Sequence, residues 1–298
     1  MSSIHSQHDA RTAALESRTV LLTGCSSGIG RFTAEYLRSR GFRVLATARK
    51  DDDVQRLRDD GFEALLLDLN STDSIQSATQ SVLKFCDGAL YGVVHNAGVE
   101  FLGALEDLGS DELRLCFETN VFGTMELTTR LLPAFRAQNF GRIVFVSSSN
   151  SNGFGYPYMG PGNASKCALE CLATSLKREL AATKISVSTV CPGEISTNLL
   201  LNMVRRSERV LSSATSRHAH AYARLKKSFS SAPGDPSTRN LRPVAQAIAL
   251  LLESKAPARR IVVPLSAKLH YLAHLTLPEW LQDKLLYRRM RERLGIHV

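Results

Sequence analysis

The chain has 298 residues, 44% hydrophobic and 22% charged, enough to bury the core of one large α/β domain or two small ones. Thirty-seven Lys and Arg against 28 Asp and Glu leave a net charge of +9. The cations are spread over Arg205 to Arg209, Arg217 to Lys227, Arg259-Arg260 and Arg288 to Arg293, with no aromatic interleaving, so no nucleic-acid partner is expected. Six cysteines (Cys25, Cys86, Cys116, Cys167, Cys171, Cys191) form no paired C-x-x-C and no Cys/His metal spacing; reduced thiols of a cytoplasmic protein and no metal are expected. No apolar h-region opens the chain and no run of 18 apolar residues occurs, so neither a signal peptide nor a membrane span is predicted.

Residues 1–17 read as a flexible tail and residues 18–298 as a single domain. Val20 to Leu22 is a short apolar strand that stops at Thr23-Gly24; Gly28 and Gly30 follow, and Phe32 to Leu37 has a helical pattern. A strand, a glycine turn and a helix N-terminus make an anion site: free N–H groups and the helix dipole point at the ligand, and missing Cβ atoms let a pyrophosphate approach. In this context the glycine repeat is a dinucleotide fingerprint, which assigns Gly24, Ser26, Ser27, Gly28, Ile29 and Gly30 to the cofactor. The second strand, Arg43 to Thr47, ends in Ala48-Arg49-Lys50. With no acid there for a ribose 2′-hydroxyl and two cations for a 2′-phosphate, NADPH is favoured over NADH.

Val54 to Asp60 reads as a helix, Ala64 to Leu67 as a third strand closed by Asp68-Leu69, and Ser74 to Phe85 as a helix. Gly92 to His95 is a fourth strand running into Asn96-Ala97-Gly98, and Asp111 to Leu132 is one long helix with Asn120 in its middle. Arg142 to Val146 is a fifth strand, followed by Ser147-Ser148-Ser149; Asn163 to Leu180 is a helix. Ile185 to Val190 is a sixth strand ending at Cys191-Pro192-Gly193, Ala245 to Leu252 a crossover helix, and Arg260 to Val263 a seventh strand. This alternation predicts an α/β fold, a doubly wound parallel seven-stranded sheet of Rossmann type with right-handed crossovers.

Two parts fall outside the rhythm. Residues 196–242 carry helical fragments and the breaker run Ala232-Pro233-Gly234-Asp235-Pro236, and stand at the carboxyl edge as a substrate-loop insertion. Residues 264–298 form a C-terminal helical extension, apolar on one side and basic on the other. It is expected to close over an apolar pocket, Leu199 to Leu201, Met203 and Val204 lining it and Leu272, Leu275 and Trp280 capping it; contact with a membrane surface is the lesser reading.

From about Arg18 to Val263 the chain resembles the short-chain dehydrogenase/reductase superfamily. The resemblance is carried in order by Thr23-Gly24-x-x-x-Gly28-Ile29-Gly30, Asp68, Asn96-Ala97-Gly98, Asn120, the serine run, Ala164-Ser165-Lys166 and Pro192-Gly193. The run Asn120 to Thr124 and the C-terminal extension are similar to the steroid- and retinol-dehydrogenase-like members. The resemblance implies an NADP(H)-dependent oxidoreductase, a homodimer or homotetramer, and cofactor contacts at Asp68, Leu69, Asn96, Ala97, Gly98, Lys166, Pro192, Gly193, Ile195 and Thr197. It further implies that a serine holds the substrate oxygen, Asn120 supports a proton-relay water, and Lys166 binds the nicotinamide ribose and lowers the pKa of a tyrosine four residues earlier. That place is occupied by Gly162. Counting thirteen residues back from Gly162 gives Ser149 as the substrate serine, whereas counting forward from Arg142 gives Ser148. A glycine at 162 predicts a void the size of a phenol ring, with water, the substrate, Tyr156 or Tyr158 as the acid. Natural loss and a deliberate Tyr-to-Gly replacement read alike in this sequence, and a cofactor-binding protein without redox turnover, a sensor or a catalyst of non-redox chemistry, is the alternative.

Overall fold

In the computed structural model, which describes residues 11–153, 155–193, 198–230 and 238–294, seven strands form one sheet in the order β3-β2-β1-β4-β5-β6-β7. They are β1 (Thr19–Leu22), β2 (Arg43–Ala48), β3 (Glu63–Leu66), β4 (Gly92–His95), β5 (Gly141–Val146), β6 (Ile185–Pro192) and β7 (Arg260–Val263), and every pairing is parallel. The order reverses between β1 and β4, which opens a crevice at their carboxyl ends. β1, β4 and β5 are buried along their whole length, as expected of strands covered on both faces.

Residues 11–17 form a first helix, α1, and Ala14 in it is fully buried, so this part of the expected tail belongs to the folded body. After β1 comes α2 (Gly28–Ser39), then α3 (Asp51–Asp59) after β2, and α4 (Thr72–Phe85) after β3. Ser71 caps α4 by accepting a hydrogen bond from the Ser74 N–H at 3.2 Å. One side of the sheet packs Leu22, Val44 and Val94 against Ala34 and Leu37 of α2 and Val244 and Ile248 of a later helix. The other side packs Leu21, Val93 and Phe145 against Ile75, Leu131 and Leu169.

The predicted helix from Asp111 to Leu132 is three pieces: α5 (Ser110–Phe117), a π-helical turn (Glu118–Gly123) and α6 (Thr124–Ala137). A Cβ on Gly123 would lie 1.8 Å from the Leu69 carbonyl oxygen, so this turn passes directly over the loop that follows β3. α7 (Gly160–Glu179) carries Pro161 in its first turn, well placed where an amide proton has no partner.

The insertion consists of α8 (Asn198–Arg206), α9 (Glu208–Leu211) and α10 (Ala219–Ser230); the breaker run 232–236 lies outside the described residues. α11 (Thr238–Glu253) is longer than its apolar stretch suggested. The extension is two helices, α12 (Leu265–Thr276) and α13 (Glu279–Leu294), separated at Leu277-Pro278. The expected cap is corrected: Leu272, Leu275 and Trp280 are exposed, the last at 66%, whereas Leu286 and Met290 are buried beside Phe101, Met203, Tyr222 and Leu225. The helical pattern had identified an apolar side without showing which residues of it find a neighbour.

Met290→Ala is expected to cost about 2–5 kcal/mol in urea unfolding, and Trp280→Ala to stay within about 0.5 kcal/mol of the parent. Gly123→Ala is expected to cost about 1–3 kcal/mol or more, because the added carbon meets backbone rather than a movable side chain.

Candidate active site

The glycine turn is built for close approach. Gly24 (φ +73°) and Gly28 (φ +58°) adopt left-handed conformations, and a Cβ on Gly30 would stand 2.1 Å from the Gly24 carbonyl oxygen. The N-cap of α2 is Ser27, whose side chain makes no cap bond, and its first turn carries no acid, so the amides and the dipole face the crevice. Thr23 Oγ1 accepts the N–H groups of Asn96 and Ala97, each at 2.9 Å. Asn96 Nδ2 donates to the carbonyls of Thr23 (2.9 Å) and Gly24 (3.1 Å). Asn96 therefore shapes the turn as well as bordering the crevice.

A cavity of about 1010 Å³ runs along the carboxyl edge. Its wall contains Gly24, Ser26, Ser27, Gly28, Ile29, Gly30, Arg49, Asp68, Leu69, Asn96, Ala97, Gly98, Ser148, Ser149, Lys166, Pro192 and Gly193. The cofactor assignments of Ile195 and Thr197 lie outside the described residues. Asn120 and Gly162 stand behind the wall.

Asn120 is buried in the π-helical turn, where it exchanges two hydrogen bonds of 2.8 Å with the backbone of Val99 and donates to Ser165 Oγ at 2.9 Å. Ser165 Oγ in turn donates to the Gly162 carbonyl at 2.8 Å. Lys166 Nζ donates to the Val146 carbonyl at 2.8 Å, and a Cβ on Gly98 would lie 3.5 Å from it. Burial holds the Lys166 pKa below its ordinary value, against the attraction of Glu100 and Glu170. Ser148 Oγ accepts the Asn150 N–H at 3.2 Å, and Ser149 Oγ donates to Asn150 Oδ1 at 3.5 Å.

Three buried polar atoms on this wall have no hydrogen-bond partner among the described residues: Ser147 Oγ, Asn163 Nδ2 and Arg206 Nη1. Burial and the Arg49 cation both depress the Arg206 pKa, so two guanidinium groups border one region. Unpaired donors, a glycine cradle and paired cations fit a ligand carrying phosphates. Asp53 also borders this region, but Arg56 pairs with its carboxylate. Sequence reading passed over Arg206; no spacing rule connects it to Arg49.

The surroundings of Gly162 differ from the expected void. A Cβ there would lie 3.0 Å from Glu100 Cγ and 3.3 Å from Glu100 Oε1, so a glutamate side chain stands against the missing phenol's place. Glu100 is half-buried and lines the cavity. Its pKa is raised by burial, with Lys166 opposing. Of the two tyrosines named for the acid role, the Tyr158 hydroxyl is engaged away from Lys166. Tyr158, off the cavity wall, has its hydroxyl 3.2 Å from His218 Nδ1 and its ring edge-on to Tyr222. Tyr156 lines the cavity within a cluster of Phe101, Met203 and Leu225.

The family model for short chain dehydrogenases matches residues 18–208. Escherichia coli K12 oxidoreductase YbbO is 40% identical over 199 residues, 67% of this chain and 74% of that protein. Retinol dehydrogenase 7 of Rattus norvegicus is 30% identical over 286 residues, 92% of this chain and 89% of that protein. Among solved structures, a short-chain dehydrogenase from Streptomyces avermitilis superposes with a TM-score of 0.72 at 30% identity, covering 94% of this chain and 99% of that one. A variant of actinorhodin polyketide ketoreductase with NADPH gives 0.66 at 27% identity, covering 83% and 96%. By the order of its motifs, its sheet and these matches, the chain belongs to the short-chain dehydrogenase/reductase family of nicotinamide-dependent oxidoreductases, on the side of the retinol dehydrogenases.

Proposed function

We propose that this protein is an NADPH-dependent carbonyl reductase or alcohol dehydrogenase acting on an apolar ketone or alcohol. The observation that carries the reading is one continuous cavity that joins the glycine cradle to Lys166, Ser148 and Ser149, and those to an apolar wall of Tyr156, Met159, Leu201, Met203, Leu225 and Phe229. Leu199 and Leu200 keep their proposed lining role, but their side chains lie outside the described residues.

In this reading the glycine turn with Ser26, Ser27 and Ile29 holds the pyrophosphate, and Arg49 and Lys50 hold the 2′-phosphate, with Arg206 close by. Asp68, Leu69, Asn96 to Gly98, Pro192 and Gly193 complete the cofactor wall, and Ile195 and Thr197 keep their proposed contacts. Lys166 takes the nicotinamide ribose, and the reduced nicotinamide supplies hydride when bound. Ser148 is the better holder of the substrate oxygen: its Oγ accepts from the Asn150 amide and its own proton remains to donate, whereas the Ser149 proton faces Asn150 Oδ1. Asn120 keeps Val99, Ser165 and so the start of α7 in place; its relay-water role belongs to the same reading.

Phe122 (58% exposed) and Leu172 (39% exposed) give the outer faces of the π-helical turn and α7 an apolar character suited to a homodimer or homotetramer. A cytoplasmic location is part of the proposal; among the described residues no helix is long and apolar enough to cross a membrane. Gly162 favours a second reading, a redox-impaired chain that binds NADP(H) as a sensor or for non-redox chemistry. NADPH oxidation across a panel of ketones separates the two: tight NADPH binding with no turnover on any ketone selects the second.

In fluorescence titration the parent is expected to bind NADPH more tightly than NADH, and Arg49→Asp to move that preference toward NADH by at least about tenfold, since a charge-assisted hydrogen bond contributes about 1.5–3 kcal/mol. Equal or tighter NADH binding by the parent would overturn the NADPH assignment. Light scattering at micromolar concentration is expected to give a dimer or tetramer mass; a monomer mass overturns the assembly.

A further inference from the structure

A carbonyl that accepts hydride needs a proton on its oxygen, and a positioned acid contributes about 10²- to 10⁴-fold to the rate. Gly162 has no proton to give. The side chain standing against its Cβ position belongs to Glu100, which follows Asn96-Ala97-Gly98-Val99 out of β4. Its place is fixed from both sides: Asn120 holds Val99 by two hydrogen bonds and, through Ser165, holds the turn of α7 that carries Gly162. Among the described residues the Glu100 carboxyl makes no hydrogen bond, and it opens on the same cavity as Lys166 and Ser148.

Resting on the reductase reading above, we infer that the Glu100 carboxyl is the catalytic acid, delivering the proton from the space that a side chain at position 162 would fill. In reduction, a C–H bond of bound NADPH would break to give hydride and leave NADP⁺, the hydride would form the new C–H bond, the C=O π pair moves to oxygen, and the Glu100 O–H bond breaks as the alcohol O–H bond forms. Glu100 is left as a carboxylate near the Lys166 ammonium and regains a proton from solvent through the cavity mouth. Oxidation of an alcohol runs the same transfers backwards, with the Glu100 carboxylate as base.

The electrostatics support a carboxyl in this role. An ordinary glutamate is protonated in only about one molecule in 500 at pH 7. Glu100 is shifted the useful way, its pKa raised by burial, while Lys166 from α7 opposes the rise. The Cys116 thiol of α5 also faces it; burial and Glu100 push that thiol up to about 12, so it stays neutral and adds no charge. Arg206 of α8 acts on Cys116. An occupied cavity excludes water and moves Glu100 further in the same direction.

The test uses the full chain with NADPH and two probes, cyclohexanone and a long-chain methyl ketone. Glu100→Gln is expected to lower kcat for reduction by about 10²- to 10⁴-fold, to leave NADPH affinity within about twofold, and to remove the fall in rate as pH rises through the Glu100 pKa. Glu100→Ala with Gly162→Tyr is expected to recover turnover with that limb moved to higher pH, because a phenol titrates near 10. Infrared titration without cofactor should show a protonated carboxyl persisting above the usual glutamate range and missing from Glu100→Gln. A Glu100→Gln rate within about threefold of the parent with its pH limb intact, or a Glu100 carboxyl that ionises at its ordinary value, overturns the assignment. Should Glu100→Gln not fold, Glu100→Asp decides: slower turnover with the limb kept but shifted supports it, and an unchanged rate and limb overturn it. A parent that turns over no ketone overturns the reductase reading and the acid role together, whereas a parent that turns over and is matched by Glu100→Gln overturns the acid role alone.

Discussion

Thr23 is the point on which the site hangs. Its side-chain oxygen accepts two backbone amides from the loop after β4, while its carbonyl and that of Gly24 are bonded by the Asn96 amide. These bonds close the crevice where the strand order reverses and set the distance between the glycine turn and Gly98. A Cβ on Gly24 would stand 2.9 Å from the Ala97 Cα, so only a bare backbone at Gly24 lets the two loops come this close. A cofactor held by the first loop is thereby placed in register with whatever the second loop presents. That second loop presents Glu100.

The π-helical turn extends the same logic one layer back. A regular α-helix through Glu118 to Gly123 would put a different set of side chains toward β4; the extra residue per turn brings Asn120 inward to meet Val99. Because Asn120 also reaches Ser165, three segments distant in sequence share one hydrogen-bonded centre: the loop after β4, the turn at 118–123, and α7 with Gly162 and Lys166. A buried asparagine with both ends of its amide engaged is worth more as a positioning device than for its net stability, since each such bond contributes only about 1 kcal/mol.

Most of the sheet and the glycine turn were legible in the sequence because they are written locally: short apolar runs, punctuated by glycine and followed by helical periodicity, need no tertiary information. The π-helical turn was not, since its residues carry an ordinary helical pattern and the insertion is favoured by contacts with Leu69 and Val99 that no window of sequence contains. The extension was legible as amphipathic but not in its orientation; Leu272 and Leu286 look alike in sequence, and only packing against α10 and the loop of Phe101 separates them. Glu100 was missed because an acid two residues beyond Asn-Ala-Gly reads as a loop surface charge. The signal that would have found it is the vacancy itself: a missing acid in the family pattern calls for a search of every carboxyl the fold can bring to the same helix turn.

Exchanging a phenol for a carboxyl changes what Lys166 does. Beside a phenol, whose ordinary pKa is near 10, a buried ammonium lowers the pKa toward the working range and so helps release the proton. Beside a carboxyl, which starts near 4.3, the same ammonium works against protonation, and the upward shift has to come from burial. Lys166 itself is buried, which lowers its pKa in turn. The net shift is upward, toward the protonated carboxyl. Lowering the pH fills the protonated form and so favours proton delivery to a ketone, and raising it favours the carboxylate that would act as base on an alcohol. How far the shift goes depends on how completely a ligand dries the pocket around Glu100 and Lys166, a property of the apolar wall of Met203, Leu225 and Phe229 as much as of the acid.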